Sequence, residues 1–308
     1  MPRRPSRLVK ATAAIAVAVL IVAGCEAQVH GTPPAPDRPH LTVVAPQGTM
    51  APLPEAPPDE PPASFDGLQG RIDAATAEAT AAGADISITV LDRNTGQTLS
   101  NGNNPALPTA SVVKLFIADD LLLQEARGET KLSTDDRRSL EVMLRSSDDS
   151  AAEVFWNRSG GSAIIGRVVS RYGLTGTTPP YNGSWDVTLS TTSDLVRYYD
   201  MLLNGGGGLP PGQAHVIMSN LAQSTPTGVD GYPQRFGIPE GLFAEPVAVK
   251  QGWFCCWNGA NQLHMSTGVV GPDRRYVMAI GSLQPVSEAA ARNTMTQAVK
   301  TMFPGGRI

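Results

Sequence analysis

The sequence predicts an α+β fold: an antiparallel sheet built from both ends of the folded region, with a helical lobe inserted in the middle. Three observations carry this. Ile86, Ile88 and Val90 alternate with Ser87 and Thr89, the period of two expected of a half-buried strand. Residues 247–250, 264–271 and 275–282 read as strands near the other end. Between these groups the apolar pattern is mostly helical.

The elements follow in order. Residues 72–82 are alanine-rich and favour a helix. Asn94-Thr95-Gly96 supplies a hairpin turn from the first strand into a second at 97–100. Residues 111–123 are apolar nearly all round, which places that helix in the interior. Helical patterns continue at 137–157, 162–172 and 192–203. Gly271-Pro272-Asp273 turns between the last two strands, and 289–302 closes the chain with a helix. Helices thus flank the sheet at both ends, and a cleft is expected between sheet and lobe.

The first 64 residues are of a different kind. Arg3, Arg4, Arg7 and Lys10 form a positive start, and an apolar run covers 11–23. That run is shorter than the roughly 20 residues a membrane span needs, and it fits the apolar core of a signal peptide. It ends Val22-Ala23-Gly24-Cys25, which resembles the bacterial lipobox, where cleavage precedes a diacylated cysteine. The stretch that follows is crowded with prolines, among them Pro33, Pro34, Pro52, Pro57 and Pro62, and lacks apolar periodicity. It reads as a tether. The expected organisation is a signal peptide at 1–24, a lipidated Cys25 and tether at 25–64, and a folded domain at 65–308. Two acyl chains on Cys25 would hold the exported domain at the extracytoplasmic face of the cell membrane.

Composition excludes several classes. Net charge is −4 with no run of Lys or Arg in the body, so a nucleic-acid partner is not expected. Three cysteines, Cys25, Cys255 and Cys256, are too few for a disulfide scaffold and form no CxxC pair. The four histidines are scattered, so neither a metal site nor a cofactor is expected. His215 and His264 read as surface or satisfied core residues. Gly205–Gly208 lacks a following Lys-Ser/Thr and reads as a loop. Cys255 and Cys256 leave three states open: free thiols, a vicinal bridge, or a bridge to a partner. The expected state is a monomer.

Candidate chemistry begins at Ser111-Val112-Val113-Lys114. On a helix, positions three apart share a face. Ser111 would lie near the positive end of the helix dipole, with Lys114 one turn deeper among apolar neighbours. Desolvation lowers a lysine's pKa, so a buried Lys114 can accept a proton from a nucleophile. Two further stretches are Ser147-Asp148-Asp149 and Lys250-Gln251-Gly252.

SxxK, then SD(N), then K(T)G on a late strand, in that order, resembles the motif set of the class A β-lactamases and penicillin-binding proteins. The resemblance covers about Asp66 to the end of the chain. It implies a β-lactamase/transpeptidase-like fold with Ser111 as acylated nucleophile and Lys114 as its base partner. Ser147 would relay a proton to the leaving nitrogen, and Lys250 would hold a substrate carboxylate. Asp149, Gln251, Gly252 and Trp253 would bind substrate, a β-lactam or a peptidoglycan peptide. Three departures stand out. Asp149 replaces an asparagine that donates to the substrate, whereas an ionised Asp only accepts; it would also keep Lys114 charged. Gln251 replaces a threonine, and can still donate. No glutamate occurs between Glu153 and Glu240, where class A enzymes carry the base for deacylation; residues 175–191 hold only Asp186. Acylation with impaired deacylation is therefore implied. The competing reading is a catalytically degenerate scaffold that recognises cell-wall peptides.

Overall fold

The computed structural model describes residues 65–308. The signal segment, Cys25 and the proline-rich stretch lie outside the described residues. Among the described residues, no helix is long and apolar enough to cross a membrane.

Helix α1 (Leu68–Ala81) leads into β1 (Asp85–Asp92) and β2 (Gln97–Ser100). Between these strands Gly96 adopts φ 73°, which favours glycine. A short β3 (Leu107–Pro108) and a 3-10 turn at Ala110–Val113 run directly into α2 (Lys114–Ala126). The lobe continues with α3 (Thr134–Arg145), α4 (Asp149–Arg158) and α5 (Ala163–Tyr172). After β4 (Leu189–Ser190) come α6 (Thr192–Asn204), α7 (Pro211–Leu221) and the single turn α8 (Ile238–Gly241). Strands β5 (Val247–Trp257), β6 (Asn261–Val270) and β7 (Tyr276–Gln284) then precede α9 (Glu288–Met302).

The main sheet has the order β2-β1-β7-β6-β5, and all its pairs are antiparallel. The first and last strands pair along their whole length, Asp85 opposite Leu283 through Asp92 opposite Tyr276. Both ends of the domain therefore return to one sheet, as the sequence predicts. Two apolar clusters lie on its two faces. One joins Leu68, Ile72, Ile88, Met295 and Val299, from α1, β1 and α9. The other centres on Phe116, Leu121, Phe155 and Tyr198, inside the lobe.

Several expectations need correction. β1 is buried on both faces: Ser87 and Thr89 are each only 1% exposed. Helix α6 covers the polar face, and the hydroxyls of Thr89 and Thr192 meet there at 2.8 Å. The helical pattern at 137–157 is two helices, because Ser147 takes φ 54° and Asp148 caps α4 by accepting from Ala151 N at 2.6 Å. Helix α7, absent from the sequence reading, begins with Pro211 in its first turn. Strand β5 continues to Trp257, past the expected end at Lys250.

Helix α2 is apolar nearly all round but buries Asp119 and Asp120. The lobe answers both. Arg167 grips Asp120 through two bonds of 2.8 and 2.7 Å, and Arg171 and Tyr172 contact Asp119.

Asp92, at the end of β1, is gripped by Arg275 through bonds of 2.8 and 2.6 Å, and it accepts from Asn94 N at 3.0 Å. These donors hold its carboxyl down to about 2. A depressed carboxylate stabilises the fold above its unfolded pKa and loses that contribution as pH falls through its folded pKa. Asp92→Asn should therefore cost about 2 kcal/mol at pH 7. Urea denaturation across the acid range should show the gap between the two proteins narrowing by about half near pH 3. A gap that stays constant with pH would assign the loss to packing instead.

Candidate active site

The 3-10 turn that carries Ser111 is fixed from two sides. Thr109 binds the carbonyl of Thr188 through its N–H at 2.8 Å and its hydroxyl at 3.0 Å. Strand β5 approaches so closely that a Cβ on Gly252 would lie 2.5 Å from Thr109 O. Gly252 thus permits the close approach of β5. Ala110 just before the serine takes φ 45°, and Ser147 in the α3–α4 loop takes φ 54°. Such left-handed backbone costs a non-glycine residue about 1–3 kcal/mol and tends to collect at functional sites.

Lys114 is wholly buried. Its ammonium donates to Ser111 Oγ at 2.8 Å, to Ser147 O at 2.6 Å and to Asp149 Oδ1 at 2.5 Å. It also lies 4.8 Å from the centroid of the Trp185 ring. Burial lowers its pKa, and the Asp149 carboxylate opposes that fall without cancelling it.

Lys250, 1% exposed, donates to Ser147 Oγ and to Gln251 O at 3.1 Å. Ser147 Oγ in turn donates to Gln234 Oε1 at 2.7 Å. The Gln234 amide is oriented by two carbonyls, Arg145 O and Thr225 O, each 3.0 Å from Nε2. Its oxygen must therefore face Ser147 as an acceptor, so the Ser147 hydroxyl is left to accept from Lys250. Burial, then the nearby charge of Lys114, push the Lys250 pKa well down.

Ser111 opens on a cavity of about 410 Å³. Trp185, Tyr232, Trp253 and Phe254 give it aromatic walls. Trp253 stacks on Tyr232 with ring centroids 4.7 Å apart, and its Nε1 donates to Asp230 at 3.3 Å. The Tyr232 hydroxyl meets His264 Nε2 at 2.7 Å, and burial lowers that histidine to about 4, so it is neutral at pH 7. Four carboxylates complete the lining: Asp149, Asp186, Asp230 and Glu288. Among the described residues no cluster of His, Cys, Asp and Glu could hold a metal. A larger hollow of about 800 Å³ lies on the lobe between α2 and α5, and it contains none of these residues.

The structure thus brings Ser111, Lys114, Ser147, Asp149 and Lys250 into one bonded network, with Trp253 beside it. Gln251 departs from the sequence reading. It is only 2% exposed, and its amide donates to Phe236 O at 2.6 Å and Gln234 O at 3.2 Å. It offers the cavity no donor. Asp186, the sole acid of residues 175–191, lines the cavity. Gln234, Asp230, Tyr232 and Glu288 were not anticipated; the turn-forming run Asp230-Gly231-Tyr232-Pro233 was the available signal. Of the open states for Cys255 and Cys256, the structure has the vicinal disulfide, across a cis peptide, with Cys255 at the cavity rim.

No family model matches the chain. It is 56% identical, over all of both chains, to the proteins named "Putative lipoprotein LppW" in Mycobacterium tuberculosis and Mycobacterium bovis. Among solved structures it resembles a β-lactamase from Chitinophaga pinensis (15% identity, TM-score 0.62). It also resembles a class A β-lactamase from Mycobacterium abscessus (19% identity, TM-score 0.61). Each of these likenesses covers 75% of this chain and 97% of the other. They establish the fold that the motif resemblance implied.

The Lys114–Asp149 contact makes a directional prediction. Asp149→Asn removes the charge that opposes desolvation, so the Lys114 pKa should fall further. Side-chain nitrogen NMR of labelled lysine would follow the titration. An unmoved Lys114 resonance would show that the contact contributes no net stabilisation to the ammonium.

Proposed function

Because this chain belongs to the LppW family of mycobacterial lipoproteins and has a β-lactamase-like fold, we propose that it is a lipid-anchored cell-envelope protein whose Ser111 accepts an acyl group. The acyl donor is a β-lactam or a peptidoglycan peptide. The observation that carries this is the 2.8 Å contact between Ser111 Oγ and an amine of zero exposure. A nucleophile beside a desolvated base is what covalent catalysis requires.

The proposed step balances as follows. In the fraction of molecules where Lys114 is neutral, it takes the Ser111 hydroxyl proton as the Oγ–C bond forms. The C–N bond of the donor breaks, and the nitrogen leaves with a proton from Ser147. Lys250, which donates to Ser147 Oγ, returns a proton to that hydroxyl, and proton exchange then restores the starting charges of Lys114 and Lys250. The net change moves one proton from Ser111 to the leaving nitrogen. Water attack on the acyl-enzyme lacks the glutamate of the class A enzymes, so the adduct persists.

The alternative is a degenerate site that only binds cell-wall peptides. The Lys114–Asp149 ion pair and the averted Gln251 amide favour it. Intact-mass spectrometry separates the two. A fluorescent penicillin should add one acyl mass to the wild type and none to Ser111→Ala, and a chromogenic cephalosporin should turn over slowly or not at all. The absence of any adduct with several β-lactams and stem peptides would leave the binding role.

The anchor reading assigns residues 1–24 to a signal peptide, Cys25 to diacylation and residues 26–64 to a tether. Cys25→Ala should yield a larger, unlipidated species that leaves the membrane fraction on detergent partitioning. Unchanged partitioning would place the anchor elsewhere.

A further inference from the structure

We propose that the cavity at Ser111 selects a ligand bearing a positive charge, a primary ammonium or a guanidinium, on the part that reaches its mouth. This deepens the acyl-acceptor reading and rests on it for the location of the site. The motif resemblance points the other way, toward a substrate carboxylate held by Lys250 and its neighbour. The geometry withdraws both grips. Lys250 is 1% exposed and its donors are directed at Ser147 Oγ and Gln251 O. The Gln251 side chain is buried, and its amide binds two backbone carbonyls.

What faces the cavity instead is negative and aromatic. Asp149 is neutralised by Lys114. Asp186, Asp230 and Glu288 also line the space, and none of them takes part in an ion pair that the structure records among the described residues. Their nearest polar contacts are neutral: Ser184 Oγ on Asp186, and Tyr232 N with Trp253 Nε1 on Asp230. Besides Lys114 and Lys250, which lie behind Ser111 and feel the Asp230 charge, one further cation stands close by. Arg292 lies 4.7 Å from the Tyr232 centroid, yet it lines a separate hollow with Arg235 and Glu240, and Trp253 already covers one face of that tyrosine. No lysine or arginine is among the residues lining the Ser111 cavity itself.

Aromatic faces and carboxylates act in the same sense. The ring quadrupole attracts cations, most strongly for tryptophan, and the cavity holds Trp185 and Trp253. Lys114 over Trp185 is a resident example of that contact. An anion brought into the same space meets three carboxylates, which is how a site rejects the wrong partner.

The test uses the full chain in detergent and three penicillins with one shared core. Their side chains are an aminobenzyl, a benzyl and a carboxybenzyl group, so only the charge at the mouth changes. The second-order rate of Ser111 acylation should fall in that order, with about tenfold between the ends at low ionic strength. The spread should shrink in about 0.5 M salt, where screening is strong. It should also shrink in Asp186→Asn/Glu288→Gln, which leaves the Asp230 contacts in place. A flat or reversed order overturns the proposal.

A binding measurement separates this outcome from failure of the acyl-acceptor reading. Ser111→Ala is titrated with a D-alanyl-D-alanine peptide carrying a free side-chain amine, and with its N-acetylated form. Tighter binding of the free amine, by about fivefold or more at low salt, supports charge selection even where no penicillin acylates the wild type. Equal affinity, no binding of either peptide, or a preference for the acetylated form overturns it.

Discussion

Everything at this site is organised around a lysine ammonium with no access to water. An isolated buried charge is expensive by several kcal/mol, and the cost is met only when each of its donors finds an acceptor. Lys114 has three N–H bonds and three partners: Ser111 Oγ, Ser147 O and Asp149 Oδ1. Only the first comes from the lysine's own turn. The other two require the α3–α4 loop to present a carbonyl and a carboxylate at one point. The left-handed Ser147 turns the loop so, and the Asp148 cap starts α4 so that Asp149 falls in its first turn. The close approach of β5 over Gly252 then brings the second lysine to the same loop.

Two buried lysines that meet at one residue, Lys114 at the Ser147 carbonyl and Lys250 at its hydroxyl, cannot both be comfortably charged. Each charge disfavours the other, and burial disfavours both, so Lys250, which has the poorer set of partners, is shifted further than Lys114. The Gln234 amide enforces the arrangement by fixing which way the Ser147 hydroxyl points. The pair is better described as sharing protons than as two independent groups. Asp149 sets the balance within it, since its carboxylate acts on Lys114 more strongly than those of Asp148 and Asp230.

Much of the fold was legible because its signals are local. The period of two in β1, the apolar ring of α2 and the Gly271 turn each follow from a few adjacent residues. The network of Ser111, Lys114, Ser147 and Lys250 was legible through motif order and residue type. What escaped depends on neighbours distant in sequence. Thr89 looks solvent-facing until α6 arrives to cover it. Gln251 looks like a substrate donor by residue type, yet it is buried and its amide is committed to the carbonyls of Gln234 and Phe236. Residues 225–236 carry no periodicity, and they nonetheless supply Gln234 to orient Ser147 and Tyr232 to line the cleft. The anchor at Cys25 was read from composition and motif alone and lies beyond the described residues.

The distribution of charge separates two tasks that the class A motif set entrusts to the same residues. The cations are internal: Lys114 and Lys250 are directed at serine hydroxyls and backbone carbonyls, where they can move protons. The anions are external: Asp186, Asp230 and Glu288 line the cavity, where they meet whatever enters. Replacing the asparagine by Asp149 acts on the first task, because that carboxylate sits on the Lys114 amine. Turning Gln251 away acts on the second, because it removes a donor from the binding surface without touching the proton path. Even with Asp149 in the network, every donor of Lys114 is matched.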